Sequence, residues 1–586
     1  MTDLLQNTPM IAGLYGILII LGLWFSVARG TALMMFFQQE EYDNLRFLVW
    51  HKEKRAYDIA ASLWIVLALV FSSFLQTENA AATIDAYTAI LIIPYGLAAI
   101  GFLHGVTRSH RALHDNKKPL VRTARVKRIG AIYALLTLAL LITFAWLALL
   151  APFGSSYTIS VSSDVESWFD TFAFLSLNYD WRMVSFCALM LVFVQALPLL
   201  VITANKLLEP FEERVKARFR DEAITKFNAL KPTVVAITGS FGKTSTKHIL
   251  AHILDAAAPT LATPGSVNTE MGITRVIREQ LTPDHQYFIV EMGAYGPGSI
   301  ARLCRLTPPD VALITAVGAA HYERFKSLET VAAAKFEIAE AVFAKGGTAV
   351  INTDGIPKNL ADERRTAVPG TYLTVGATGA LKLIGYTMTP SGLTIDVEDE
   401  DGPQTLKAPI FGEHQAGNIV MAAATARAIG LPWAAIKGAL ASLPQIRFRL
   451  EVSSADGAPT VINDAYNSNP VGFAGALDCL DVLVKPEGRR ILVTPGMVEL
   501  GAIHDAEHER LGMLAAQHAD IVCVVTPERI PTFVKGLTAG NDGSTTVMTF
   551  ALQAEAEAWV KANWRPEDAV LFENNLPDLY EASVQF

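Results

Sequence analysis

Long apolar runs fill the first two hundred residues, and short β-branched runs alternate with alanine-rich ones after them. Five apolar stretches stand out, near Met10–Ala28, Ile59–Leu75, Tyr87–Gly105, Ile129–Ala151 and Met183–Asn205. Each is about the length that crosses a ~30 Å hydrocarbon core at ~1.5 Å per helical residue. Buried globular helices are the alternative, and the near-absence of charge argues against it. The segment before the first stretch, MTDLLQNTP, has no basic residue and carries Asp3, which a signal peptide would not.

Charge between the stretches sets an expected orientation. Arg29, Arg46, Lys52, Lys54 and Arg55 follow the first, and a basic series from Arg108 to Arg128 follows the third. Gln76–Ala86 has no lysine or arginine, and Pro152–Arg182 has only Arg182 beside four acids. The positive-inside rule then places the N-terminus outside and everything after the fifth span in the cytoplasm, a multi-pass inner-membrane protein. The basic loops read first as topology determinants and second as contacts to membrane lipid. Residues 206–230 read as a charged, amphipathic linker helix.

From Lys231 the pattern changes period. VVAIT, YFIVEMG, VALITAV and GTAVINTD are short buried-strand patterns separated by helical stretches, the rhythm of a mostly parallel sheet. The expected fold is a multi-span α-helical membrane domain followed by two α/β domains. The divisions fall at 1–205, 206–230, 231–446 and 447–586.

Composition sharpens this only in places. Hydrophobic content of 51% with 18% charge fits a membrane part joined to a soluble one. A net charge of −9 argues against a general nucleic-acid binder. Cys187, Cys304, Cys479 and Cys523 are scattered, so neither a disulfide framework nor a zinc site is implied.

Candidate chemistry centres on VVAITGSFGKTSTKHIL, Val234–Leu250. A strand, a glycine turn and Lys-Thr at a helix start cradle phosphate: amides approach the anion, the helix dipole favours it, Lys243 adds charge and Thr244 can hold Mg²⁺. The spacing Gly-x-x-Gly-Lys-Thr is shorter than the usual phosphate loop, and a tight turn before a surface lysine is the plain alternative. Glu291 and His321 follow strand patterns at the ends where α/β sheets bind ligands, and with Thr244 they could complete a magnesium site.

TGSFGKTSTK, TPGSVNTEMG, VEMGAYGPGSI, HYERF, AAAKFEI, GEHQAGNIVMAAA and INDAYNSNP occur in the order and spacing of Mur ligases, and the chain from about Lys231 to Ala569 resembles that family. The text is most similar to the branch that adds D-alanyl-D-alanine to UDP-N-acetylmuramoyl-tripeptide. The resemblance implies an ATP-dependent, ADP-forming amide ligase of peptidoglycan precursor synthesis, working through an acyl phosphate with ATP and Mg²⁺. Gly239, Ser240, Gly242, Lys243, Thr244 and Ser245 match its ATP-phosphate loop. Glu291 and His321 match its magnesium ligands, and Lys335 the lysine that is carbamylated in several members to hold a second magnesium. Asn268 matches a substrate-cleft asparagine and Asn418, with His414 heading its motif, an adenine-contacting one. Arg449 matches the arginine that opens the last domain and reaches ATP, and Asp464 a ribose- or hinge-associated aspartate, beside Tyr466 and Asn467. On this footing Lys243, His321 and Lys335 are the expected catalytic set.

The chain also departs from the family. Phe448 stands where glycine usually precedes the arginine, so the local turn is expected to differ. Gly496 replaces an aspartate common in that branch. Glu573, Asn574, Asn575 and Asp578 occupy the place of a basic Lys-Gly-Ser-Arg motif. The apolar spans replace the domain that binds the UDP part of the acceptor. Two readings therefore stand: a nucleotide-linked muramyl peptide acceptor receiving D-alanyl-D-alanine or a similar amine donor, and a lipid-linked or other cell-envelope acceptor with the same chemistry. An ATP-binding scaffold or transport ATPase is a third, and it would not need the ligase residues.

Overall fold

Apolar helices without backbone partners outside themselves are what the first two hundred residues predict, and helices are what dominate their described residues. The computed structural model describes residues 2–74, 84–114, 119–150, 181–318, 325, 327–465, 469–498 and 500–575. These fall into two compact units that divide between Arg214 and Val215.

The first unit is helical: α1 (Thr2–Gln39), α2 (Asn44–Glu53), α3 (Ile59–Phe74), α4 (Ile84–His114), α5 (Ala124–Leu150) and the start of α6 (Trp181–Leu230). All five apolar stretches lie on helices. Among the described residues, Gly13–Gln39, Ala124–Ala148 and Met183–Leu230 are long and apolar enough to cross a membrane, and Ile59–Ser72 is a shorter apolar helix. The segment 206–230, expected as a separate linker, continues α6 without a break. Pro198 and Pro210 lie inside that helix, while the charged residues between them and Leu230 are good helix formers, with Arg218 and Glu222 paired at 3.0 Å. Asp58 caps α3 by accepting from Ala61 N at 3.1 Å, and it binds the buried Arg29 of α1, whose Nε lies 3.0 Å away. Gln195 of α6 donates to the Asp58 carbonyl at 3.1 Å and to Ser62 Oγ at 2.8 Å. One ion pair thus ties three helices.

The second unit begins with a sheet whose central strands are buried on both faces. In chain order come β1 (Thr233–Thr238), α7 (Lys243–Asp255), β2 (Thr260–Ala262), α8 (Glu270–Glu279), β3 (Tyr287–Glu291), α9 (Ser299–Leu306), β4 (Val311–Ile314), α10 (Leu328–Phe343), β5 (Thr348–Asn352), α11 (Lys358–Ala367) and β6 (Tyr372–Gly376). These strands are parallel. Residues 371–409, whose alternating TYLTV, LKLIGYTM and LTIDVE read as a small antiparallel excursion, extend the same sheet. TYLTV is its parallel strand β6, and β7 (Leu381–Thr389), β8 (Gly392–Asp399) and β9 (Gly402–Ala408) complete the order β2-β3-β1-β4-β5-β6-β7-β8-β9. Only the β7–β8 and β8–β9 pairs are antiparallel. Helices α12 (Glu413–Ala428) and α13 (Trp433–Ala441) follow. Burying Val235, Ile237, Ile289 and Leu313 in one core is worth about 1.5–3 kcal/mol for each side chain. That fixes where β1 ends, and therefore where the glycine turn sits.

A second open sheet closes the chain. It contains β10 (Glu451–Ser453), β11 (Thr460–Asp464), β12 (Arg490–Thr494), β13 (Ile521–Val525), β14 (Thr546–Phe550) and β15 (Ala569–Glu573), in the order β10-β11-β15-β12-β13-β14. Helices α14 (Pro470–Leu483), α15 (His504–His518), α16 (Pro531–Gly540) and α17 (Gln553–Asn563) connect its strands. All its pairings are parallel except β10–β11.

Candidate active site

The turn from β1 into α7 depends on Gly242, which has φ 79°. A Cβ there would lie 2.5 Å from Asn418 Oδ1, so a side chain is excluded by both conformation and space. The first N–H groups of α7 have no partner within the helix and point the positive end of its dipole at the turn. Lys243 folds back over the loop, its Nζ donating to the carbonyls of Gly239 at 2.7 Å and Ser240 at 3.4 Å. Burial pulls its pKa down, and the charge of Glu291 opposes that.

Glu291, the last residue of β3, is the hub. Its Oε2 accepts from Thr244 Oγ1 at 3.0 Å and Lys247 Nζ at 2.9 Å, and its Oε1 from Asn268 Nδ2 at 3.3 Å. Tyr295 Oη donates to Asn268 Oδ1 at 2.9 Å. Thus Thr244, Glu291 and Asn268, far apart in sequence, meet at the carboxyl ends of adjacent strands. Their oxygens suit a hard divalent cation, and magnesium needs only one or two carboxylates when phosphates and water supply the rest. Among the described residues no three His, Cys, Asp or Glu side chains could hold a metal together. His321 lies outside the described residues.

Lys335 sits on α10 and is buried, although an isolated helical lysine would be expected at the surface. Its pKa falls well below the ordinary value, first through burial and then through the charge of Lys243. Ser240 anchors the loop after β4: its Oγ donates to Gly318 O at 3.0 Å, and Gly318 N donates back to it at 2.9 Å. Ser245 is buried within 3.5 Å of Gln415 Nε2. Asn418 is buried behind the loop, accepting from Thr246 Oγ1 at 3.1 Å and donating to Gln415 Oε1 at 2.9 Å. His414, at the start of the same helix, is held to a pKa of about 4 by burial and then by Arg449.

A cavity of about 370 Å³ opens beside α7, lined by Thr244, His248, Gly265 and Ser266 on one side and 443–449 on the other. Arg449 therefore reaches the phosphate-loop region. The turn before it keeps the glycine-like shape despite Phe448, which adopts φ 58°. Its N–H donates to Glu451 Oε2 at 3.0 Å, and the Arg447 guanidinium stacks 4.7 Å from its ring. Asp464 accepts from Leu450 N at 3.2 Å, and burial raises its pKa to about 6 against the opposing charge of Arg449. Gly496 has φ 71°, and a Cβ would meet His508 Nε2 at 2.8 Å, so an aspartate does not fit this loop as it stands. Glu573 is buried in register with Asp464, and Asn574 Nδ2 donates to Gly496 O at 2.7 Å. Tyr466, Asn467 and Asp578 lie outside the described residues.

The family described as the Mur ligase middle domain matches residues 237–426, and the Mur ligase glutamate ligase domain matches 448–573. UDP-N-acetylmuramoyl-tripeptide–D-alanyl-D-alanine ligase of Mycobacterium tuberculosis is 32% identical over 58% of this chain and 69% of its own. The chain belongs to the Mur ligase family. The enzyme of the same name from Escherichia coli is 32% identical over 48% of this Mur ligase and 62% of its own length. Among solved structures, MurF from Thermotoga maritima in complex with ADP superimposes with a TM-score of 0.54 at 26% identity, covering 63% of this chain and 82% of that one. A MurF structure from Acinetobacter baumannii gives 0.55 at 26%, covering 63% and 79%. This Mur ligase is an ATP-dependent, ADP-forming ligase.

Sequence reasoning passed over Lys247, the fully buried partner of Glu291. Its signal was present. Lys247, Leu250 and Leu254 recur at i, i+3 and i+7, the buried stripe of α7. A lysine on that stripe must have a counter-charge.

Proposed function

We propose that this Mur ligase joins D-alanyl-D-alanine to UDP-N-acetylmuramoyl-tripeptide. The observation that carries the reading is the convergence of Lys243, Thr244, Glu291 and Asn268 at one strand-end site, in a chain 32% identical to a ligase of that name. The acceptor carboxylate attacks the γ-phosphorus of ATP, giving an acyl phosphate and ADP. The amine then attacks the acyl carbon, forming the amide and releasing phosphate. Lys243 and the start of α7 hold the phosphates, and Arg449 approaches from the last domain. Thr244, Glu291 and His321 would hold magnesium, whose positive charge would offset the charge developing on the transferring phosphoryl group. Burial pulls the Lys335 pKa well below its ordinary value, which favours the free amine that takes up carbon dioxide, and as a carbamate it would ligate a second magnesium. Asn418 would contact the adenine, and Asp464 the ribose or the hinge. The amine donor enters between the two Mur domains, whose closure keeps water from the acyl phosphate.

The helical unit anchors the enzyme as a multi-pass domain of about five spans, N-terminus outside and ligase domains in the cytoplasm. Its exposed Ile17, Ile20, Trp24, Leu135, Ile142 and Trp146 support a lipid-facing surface. A lipid-linked acceptor is the second reading, favoured by the apolar unit standing where relatives bind UDP.

Detergent-purified enzyme given ATP, magnesium, the UDP-linked tripeptide and D-alanyl-D-alanine should yield the pentapeptide by mass analysis. No pentapeptide, with ADP release only on adding membrane lipid extract and amino acids, would transfer the assignment to the lipid-linked acceptor.

A further inference from the structure

Both oxygens of Glu291 are already engaged. Oε2 accepts from Thr244 and Lys247, and Oε1 from Asn268. The Lys247 side chain is completely buried, and its ammonium also donates to the carbonyl of Gly265. That carbonyl begins the loop carrying Asn268, so one lysine joins α7, the end of β3 and the loop before α8. The surroundings are strongly cationic. Glu291 is the acidic group whose field opposes burial at Lys243, Lys247 and His248, while Arg449 adds positive potential at all three.

A divalent cation arriving alone would have to share Oε2 with two donors or take the remaining position on Oε1, in either case beside the Lys247 ammonium. At such separations in a partly dry site, like charges repel. A cation arriving on the phosphates of ATP brings its own negative charge, which also satisfies Lys243 and Arg449. We propose that Lys247 is a built-in counter-cation of Glu291: it holds the carboxylate aimed while the nucleotide is absent, and it bars a free divalent cation, so the metal enters only with the nucleotide. Lys247 is thus a positioning residue, acting through Glu291 and the Gly265–Asn268 loop. The inference rests on the reading of Glu291 as a magnesium ligand.

The test uses the full chain in detergent, with Mn²⁺ as probe and free Mn²⁺ read by electron paramagnetic resonance. Wild type should bind Mn²⁺ with a non-hydrolysable ATP analogue and not at the same concentrations without it. Lys247→Met removes the ion-pair partner of Glu291 and leaves its hydrogen bonds from Thr244 and Asn268. It should bind Mn²⁺ without nucleotide about tenfold tighter or more, and its melting temperature should rise on adding Mn²⁺ where that of wild type does not. A lysine needed only for packing would not be compensated by a metal. Adding Glu291→Gln to Lys247→Met should abolish the gained binding. If Lys247→Met does not fold, that double variant, neutral at both positions, should melt above Glu291→Gln alone.

Nucleotide-free Mn²⁺ binding by Lys247→Met no tighter than wild type overturns the inference, as does a double variant melting at or below Glu291→Gln. Equal Mn²⁺ binding by wild type and Glu291→Gln in the presence of the analogue overturns the magnesium reading itself, and the inference with it.

Discussion

Each unit of this Mur ligase contains a buried ion pair, and the two pairs do different work. Arg29 and Asp58 join α1 to the start of α3 in the helical unit, with side chains only 4% exposed. Asp58 also caps its helix, and its carbonyl takes a hydrogen bond from Gln195, so the pair is enclosed by architecture. Lys247 and Glu291 are as deeply buried, yet they stand at strand ends beside a glycine turn, a helix N-terminus and an open cavity. The first pair lies among the helices it joins. The second lies in the field of Lys243 and Arg449, next to the cavity beside α7. Burial alone does not distinguish structure from chemistry. What the site opens onto does.

The largest effect should come from the second pair's surroundings. Lys243→Ala or Glu291→Ala should lower ADP formation by about 10³-fold or more, the scale of losing a preorganised charge from the reacting phosphoryl group. Full activity in either variant, by nucleotide product assay, would remove the site from the chemistry.

Asp58→Ala strands the Arg29 guanidinium in the helical unit and should destabilise it by about 3–5 kcal/mol. A melt followed in detergent reads this. ADP formation per folded molecule should stay at the wild-type level, and a large fall would break the contrast between the two pairs.

Stability of the ligase unit should also fall in acid. Burial holds His414 and His508 to pKa values of about 4 against an ordinary 6.5. Between those values the unfolded chain binds their protons and the folded one does not, so stability drops as pH falls from about 6.5 to about 4. Asp464 opposes this, because its folded pKa of about 6 lies above the ordinary 3.8 and the folded state takes up its proton first. Two imidazoles outweigh one carboxyl, giving a net loss on the order of a few kcal/mol at most. Urea titrations at pH 7 and pH 5 should show a lower midpoint at pH 5, and His508→Gln should flatten the difference.

Phe448→Gly is the mildest test. It relieves a left-handed residue but adds backbone freedom and removes the Arg447 stack, so the net change should be below about 1 kcal/mol in either direction. A shift of several degrees in melting temperature would mean that the ring has a further partner.

The helical unit was legible as apolar runs because span length and lack of charge are local properties. Its inner ion pair was not, since Arg29 read as one of several basic loop residues and Asp58 as an unremarked acid. The continuity of α6 through residues 206–230 was equally hidden, because a change from apolar to charged composition alters what a helix faces and leaves its backbone intact. In the ligase unit the strand, glycine turn and Lys-Thr were read correctly from residues in one short segment. The role of TYLTV was not, because antiparallel and parallel strands share one side-chain alternation and differ only in their partner.

The sequence alone determined the order of elements, the glycine turn between β1 and α7 and the family, because these follow from periodicity, glycine placement and motifs written in consecutive residues. Tertiary structure decided which lysine meets Glu291, that Phe448 keeps a glycine's conformation, and that Lys335 is buried. The first and last depend on segments dozens of residues apart that only packing of the strands and helices brings together, and the second on a backbone conformation that side-chain pattern does not encode.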